Sequence, residues 1–548
     1  MAPGFPVLCG ARKMLSKKSQ LLLLLLPFLL VACALYFNHG RGPYWLGNNL
    51  DPEYVYLLNG LNLAQLKGVG HIDHPGTPVQ VLAAVTIRIV YTFTGPKGIS
   101  LETDVLTRPE IYLELINRIL IVQNAIMLLL VGLVAYRLSG SLPWSLWLQA
   151  APFFSPVLLL FGLTRVTPEP LLFFASSGVL LLAILTVFPP DLGFSHRQQW
   201  LLTLGWAVVI GLGIACKITF LPLVVIPLVV LPRMKQRFFY LAALVGAVVV
   251  FTLPIIRMYP LFWQWVFNLV THSGHYGSGP SKMLPLGQYF QNLWHLLIVN
   301  PFFAGVLLIT LSTLFLVILL PRLRRASRDS MELKLLSACA LAQCLALAMV
   351  SKHAASHYLL PVLNLSGLMV FLLFFYWKKQ MVANHSPAYA WVLAIVFFSV
   401  ICISAVFINP PVAAIDIVRH ATHVQEVSLA LHQQVEDTYR DHAKIYYYRC
   451  SAPEYALKFG SDLSRSYHAE TLDKLYANVY FYDIWTNRFT RFDYNTAIPF
   501  EIIQAKFGTR IIFQGRRGQK IPGLKLQNVA TLNSQEGIFT LQPTITHN

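Results

Sequence analysis

Long apolar blocks, parted by short polar or basic breaks, run along most of the chain. Each is close to the twenty or so residues that cross a bilayer. They fall at 20–37, 112–136, 144–163, 169–188, 200–215, 218–232, 238–257, 293–320, 334–350, 356–376 and 389–408. The stretch 200–232 is long for one span and short for two, and charge decides it. Arg197 precedes it, and Arg233, Lys235 and Arg237 follow it. If both flanks are cytoplasmic, an even number of spans separates them. Later basic clusters at Arg322, Arg324, Arg325 and Arg328, and at Lys378 and Lys379, fit the same scheme. The pattern therefore predicts about eleven spans, with the N-terminus inside and the C-terminus outside. Arg12, Lys13, Lys17 and Lys18 ahead of Leu21–Phe37 resemble a signal peptide. That apolar run is long, and no small-x-small site follows Phe37, so an uncleaved first span is expected.

Two regions depart from the spanning pattern. In the loop 38–111, apolar residues recur at helical spacing over Tyr54–Leu66 and again over Val79–Phe93, after Pro75 and Pro78 break the chain. This predicts two amphipathic helices lying along the membrane surface. Pro109 stands at a favourable helix-start position. Beyond Asn409-Pro410-Pro411 the chain turns more polar. Ala413–Tyr439 reads as a helix, and 444–449, 479–482 and 510–513 read as strands, with helices between the first two. The expected fold class is an α-helical polytopic membrane protein with surface-lying first-loop helices and a small C-terminal α/β soluble domain. Its expected parts are a cytoplasmic N-terminus at 1–19, a transmembrane domain at 20–409 with an extracytoplasmic loop at 38–111, and an extracytoplasmic α/β domain at 410–548.

Composition supports the class. Of 548 residues, 56% are hydrophobic and 12% charged, with a mean hydropathy of +0.57; soluble domains carry about 25% charged residues. The net charge of +18 admits a nucleic-acid partner. Many of the basic residues sit in short loops between apolar blocks, where they orient spans, so membrane lipids are the expected partner and nucleic acid is not. The remaining excess suits anionic headgroups or a phosphate substrate. The seven cysteines show no disulfide framework or zinc spacing.

The predicted topology puts the unusual polar residues on the outer face. Asp51-Pro52-Glu53-Tyr54 directly follows the first span. A carboxylate there can take a proton from a hydroxyl if partial burial raises its pKa; Asp51 can equally cap a helix opened by Pro52. His71-Ile-Asp73-His74-Pro75-Gly76 has metal-ligand residue types without metal-site spacing, and reads as a rigid turn whose His74 can shape a pocket. Arg165 and Glu169 sit at a membrane exit, where they pair with each other or serve a substrate. Lys217 stands between two short apolar runs, behind glycines, snorkelling or holding an anion. Lys352, His353, His357 and Tyr358 form a second basic turn, either a phosphate cradle or an interfacial belt. His272, His275 and Tyr276 lie in a glycine-rich loop that reads as a lid over an outer cleft, or as plain solvated loop.

In combination, Asp51-Pro-Glu-Tyr54, His74-Pro-Gly, Arg165…Pro168-Glu169, Cys216-Lys217 and Lys352…His357-Tyr358-Leu-Leu-Pro361 resemble the GT-C superfamily of integral-membrane glycosyltransferases. The branch they look most like holds the protein O-mannosyltransferases and the lipid A aminoarabinose transferase. The resemblance spans about residues 20–376. It implies a polyprenyl-phosphate-linked sugar donor, hexosyl or pentosyl transfer on the extracytoplasmic side, and a glycan, lipid or protein acceptor in the cell envelope. It also implies Asp51 as the base, and a bacterial inner membrane as the location. In physical terms, a lipid phosphate needs cations as the glycosidic bond breaks, and Lys217, Arg165, Lys352 and His357 are candidates. Glu53, Tyr54, His353, Glu169 and Tyr358 are further candidate substrate contacts. No metal or other cofactor is required by this scheme. A transporter or flippase of a lipid-linked sugar is the alternative, since interrupted spans with an intramembrane cation suit it; inverted repeats, which would favour it, are not seen. A non-catalytic membrane scaffold is the third reading, and it leaves Asp51, Lys217 and Lys352 without a purpose.

Overall fold

A computed structural model of the chain describes residues 17–46, 50–188, 194–274, 277, 279–281, 285–384, 410–530 and 536–542. The first apolar block forms the helix Lys17–Arg41 (α1). The first loop holds Leu50–Ala64 (α2), Thr77–Thr94 (α3) and Leu101–Thr107 (α4), and Pro109–Ser139 (α5) follows. Leu142–Ala150 (α6) and Pro156–Phe161 (α7) flank a 3-10 turn at Ala151–Phe154. Pro152 and Pro156 withhold amide donors there, so the expected span 144–163 is broken. Pro168–Val187 (α8) and His196–Cys216 (α9) are continuous, whereas 218–232 is a 3-10 stretch, Ile218–Val224, running into the short helix Val225–Val230 (α10). Then come Met234–Phe251 (α11), Tyr259–Thr271 (α12) and Leu286–Ile298 (α13). The helix Pro301–Leu319 (α14) begins at its own proline, so the block 293–320 is two helices. Pro321–Ala326 (α15), Met331–Val350 (α16), Leu360–Leu363 (α17) and Leu365–Asn384 (α18) complete this part.

Among the described residues, nine helices are long and apolar enough to cross a membrane, and the protein is a multi-pass membrane protein. By length and composition the nine include α3, which presents Val81, Val85, Ile89 and Phe93 as one exposed stripe at four-residue spacing. The expected span 389–408 lies outside the described residues.

The chain packs as two compact units. One comprises Met1–Leu35, Asp73–Pro78 and Leu120–Ala414. Within it, Gly211 of α9 brings α11 close; a Cβ there would stand 2.7 Å from that of Ala247. Buried amides tie its helices together. Asn364 donates to Ser176 Oγ at 2.9 Å, and Gln149 donates to the carbonyls of Leu23 at 3.0 Å and Leu128 at 3.2 Å.

The other unit comprises Tyr36–Ile72, Val79–Ile119 and Ile415–Asn548. Its strands are Ala443–Tyr447 (β1), Val479–Asp483 (β2), Arg488–Thr490 (β3), Ala497–Ile498 (β4), Ile511–Arg516 (β5), Leu526–Ala530 (β6) and Glu536–Leu541 (β7). The sheet order is β4-β3-β2-β1-β5-β7-β6. β1 runs parallel to β2 and β5, in the register Lys444 opposite Val479 and Ala443 opposite Ile511. The three strands expected from sequence are these three, buried as parallel strands are except at Asp483 and Arg516, the last residues of β2 and β5. Ile445, Tyr447, Tyr480, Tyr482 and Phe513 pack with Ile503 and Phe507 on one face. α2 belongs to this unit. Tyr54 to Leu61 are buried without interruption: the helix Pro453–Asp462 packs on α2, α3 approaches it at Gly60, and Glu110 of α5 meets Tyr54.

Candidate functional site

In the first unit the site is built on two chain breaks. α9 ends at Cys216, and Lys217 follows in extended conformation (φ −159°, ψ 134°) before the 3-10 stretch. The turn His74-Pro75-Gly76, which opens with a cis peptide, lies against it. Pro75 and Lys217 form an antiparallel bridge. Ile218 N–H donates to the His74 carbonyl at 2.8 Å, and Gly76 N–H donates to the Cys216 carbonyl at 3.2 Å. Gly76 has φ +71°, a conformation that a residue without a Cβ takes readily. Thr77 Oγ1, next in line, donates to the Phe251 carbonyl at 2.7 Å.

This pairing fixes Lys217 at 3% exposure. Its Nζ donates to Glu169 Oε1 at 2.6 Å and lies 4.4 Å from the centre of the Tyr358 ring. Glu169 stands in the first turn of α8, where the helix dipole favours a carboxylate. Among the described residues this is the one hydrogen bond that Lys217 Nζ makes. The His357 ring is 4.3 Å from Tyr358 and stacks on Phe161 at 5.0 Å. His74 meets Trp265 edge-on at 5.5 Å and lies 6.2 Å from Tyr358. The structure thus gathers His74, Glu169, Lys217, His357 and Tyr358 around one buried ammonium, with three aromatic rings as walls.

The other sequence candidates of this unit lie as follows. Arg165 is half-buried in the turn before α8. Lys352 donates to the carbonyls of Leu269, at 2.6 Å, and of Val270, and His353 Nε2 is 3.3 Å from the same Leu269 oxygen. Both side chains serve the C-terminal carbonyls of α12. His272 touches Thr271 Oγ1 through Nδ1 at 2.8 Å and bridges Ser281. His275 and Tyr276 lie outside the described residues.

In the second unit, Glu53 and Tyr54 sit on α2. Glu53 is fully buried and accepts from Arg41 at 2.6 Å. The Tyr54 hydroxyl donates to Glu110 Oε1 at 2.8 Å, and the Tyr44 amide donates to Glu110 Oε2 at 2.9 Å. Burial, with the Glu110 charge beside it, pushes the Tyr54 hydroxyl well above its ordinary range and keeps it a donor. The backbone of Asp51 lies in the first turn of α2; its side chain lies outside the described residues. Arg41 and Glu110 were not anticipated as partners. Their sequence signal is a charge at each edge of the loop: Arg41 just behind the first apolar block, Glu110 just ahead of the second.

Among the described residues no group of three or more His, Cys, Asp or Glu could hold a metal ion. No family model matches the chain, and no curated protein matches it. Two solved structures are similar, both of ArnT from Cupriavidus metallidurans. The apo state shares 14% identity and the state bound to undecaprenyl phosphate 13%, each with a TM-score of 0.49 over 93% of this chain and 97% of that one.

Proposed function

We propose that the protein is a glycosyltransferase that moves a sugar from a polyprenyl-phosphate donor to a hydroxyl acceptor on the extracytoplasmic face, by a single inverting displacement. The observation that carries this reading is the buried Lys217, held by the His74–Gly76 turn and Glu169. A fixed ammonium in a site walled by aromatic rings fits a phosphate whose charge grows as the anomeric C–O bond breaks. The phosphate leaves with that bond's electron pair. The acceptor oxygen bonds to the anomeric carbon, and its proton passes to a base, a role the motif resemblance gives to Asp51. Lys217, Arg165 and His357 face the phosphate, and His74 and Tyr358 shape the pocket. The polar C-terminal domain lies outside the cytoplasm, and the membrane is a bacterial inner membrane.

The test is transfer by purified protein in detergent with a labelled pool of polyprenyl-phosphate sugars, comparing wild type with Asp51→Asn. Transfer by wild type, lost in a folded variant, supports the enzyme and its base. Equal turnover removes Asp51 from its centre, and retained configuration in the product overturns the single displacement. A lipid-linked-sugar transporter is the second reading, favoured by the helix break that carries Lys217. Absence of transfer together with movement of the lipid-linked sugar across vesicles decides for it.

A further inference from the structure

The helix that carries Asp51 is held by the C-terminal end of the chain. Gly460, in the helix Pro453–Asp462, lies against the α2 backbone; a Cβ there would stand 2.7 Å from the Tyr54 carbonyl oxygen. The turn that follows supplies polar contacts. Arg465 (φ +67°) and Ser466 (φ +52°) both take the left-handed conformation that residues with a Cβ avoid. That turn presents two carbonyls to α2. Asn59 donates to the Leu463 oxygen at 3.1 Å and Asn62 to the Ser464 oxygen at 2.8 Å. With its amide nitrogen so used, Asn62 turns Oδ1 to His468 Nε2 at 2.8 Å. His468 is fully buried, and its Nδ1 lies 3.1 Å from Glu102 Oε2 of α4, without the alignment of a hydrogen bond. Glu102 also accepts from Thr471 at 2.5 Å and from Gln65, just past α2, at 3.0 Å. Partial burial raises Glu102, but the contacts with His468, Thr471 and Gln65 outweigh it and hold the carboxyl well below the usual range.

A polar network of this kind, with left-handed residues at its centre, is dearer than apolar packing and fixes one geometry. Apolar packing of α2 on the Pro453–Asp462 helix would allow it to slide; directed bonds from Asn59 and Asn62 set its height and rotation. Resting on the glycosyltransferase reading, we propose that Asn62 and His468 are positioning residues, through which the C-terminal domain fixes the α2 helix and so the base it carries.

The experiment uses the full chain in detergent: wild type, Asn62→Ala, His468→Ala, the double variant and His468→Gln, which keeps an N–H donor for Asn62. Two readouts are taken, kcat and donor KM for transfer, and hydrogen exchange of the α2 amides, which needs no substrate. Loss of position alone costs about tenfold to a hundredfold. The expected result is a fall of that size in kcat with donor KM within about twofold, faster α2 exchange, a double variant no worse than the worse single, and partial recovery by His468→Gln. Unchanged kcat with faster exchange overturns the proposal, leaving packing alone. So does a fall in kcat that only tracks the folded fraction, or two additive losses. A wild type that transfers no sugar overturns the glycosyltransferase reading instead, and is told apart because α2 exchange still rises in the variants.

Discussion

Glu169 reaches Lys217 across 2.6 Å, and both residues are almost fully withdrawn from solvent, at 5% and 3% exposure. Removing one partner of such a pair strands the other charge, which costs about 3–5 kcal/mol. Glu169→Gln is therefore expected to lower thermal stability in detergent sharply. The double variant Glu169→Gln with Lys217→Met should regain much of the loss, because no buried charge is left. Transfer should be abolished in both. A Glu169→Gln protein that melts with wild type would show that the pair holds nothing together.

Lys352 binds helix carbonyls. The last carbonyls of α12 have no partners inside the helix, and a cation there contributes about 0.3–1 kcal/mol. Lys352→Met should speed hydrogen exchange in the last turn of α12 while changing donor KM by less than about threefold. A tenfold rise in KM with α12 unchanged would place this ammonium on the donor phosphate instead.

Gly76 tests the turn that holds Lys217. A side chain in its left-handed conformation costs roughly 1–2 kcal/mol, and a β-branched one is the least tolerated. Gly76→Val should lose most transfer, with a smaller loss for Gly76→Ala. Valine at wild-type turnover would separate the turn from the reaction.

Asp462 sets a pH dependence in the second unit. Burial pushes its carboxyl up to about 6, against the pull of Lys458 at 2.6 Å. A raised carboxyl contributes its stability in full below the unfolded value near 3.9 and loses it as pH rises through about 6. The melting temperature of wild type minus that of Asp462→Asn should therefore fall between pH 4 and pH 6.5. A difference that stays flat or grows would contradict the assignment.

The local elements were legible where local patterning determines them. The runs at 444–449, 479–482 and 510–513 are rich in aromatic and β-branched residues, so they read as strands without tertiary information. Pro301 marks the break inside 293–320, but the run around it is so apolar that it reads as one span. Lys217, Glu169, His74, His357 and Tyr358 were each visible as polar residues in apolar surroundings. Their assembly was not, because the bridge from Pro75 to Lys217 joins segments with no common periodicity. Lys352 carried the same sequence signal as Lys217 and does different work, since residue type at a helix break does not say whether a ligand or a carbonyl is the partner. The burial of α2 was hidden for a further reason: part of its cover comes from the far end of the chain, and no window along the sequence contains both.

That distance bears on how the protein is made. Asn59 and Asn62 find their partners 404 and 402 residues later, and Asn62 meets His468 after 406. At about 5–20 residues per second, a ribosome needs roughly 20–80 s to cover that interval. Throughout it, the faces of α2 that Pro453–Asp462 will cover have nothing from that end of the chain to rest on. The segment bearing the candidate base leaves the ribosome early and is completed late. A chain interrupted before Pro453 would keep its apolar helices and lack the fastening of α2, so translation itself delays the moment at which the base can be set.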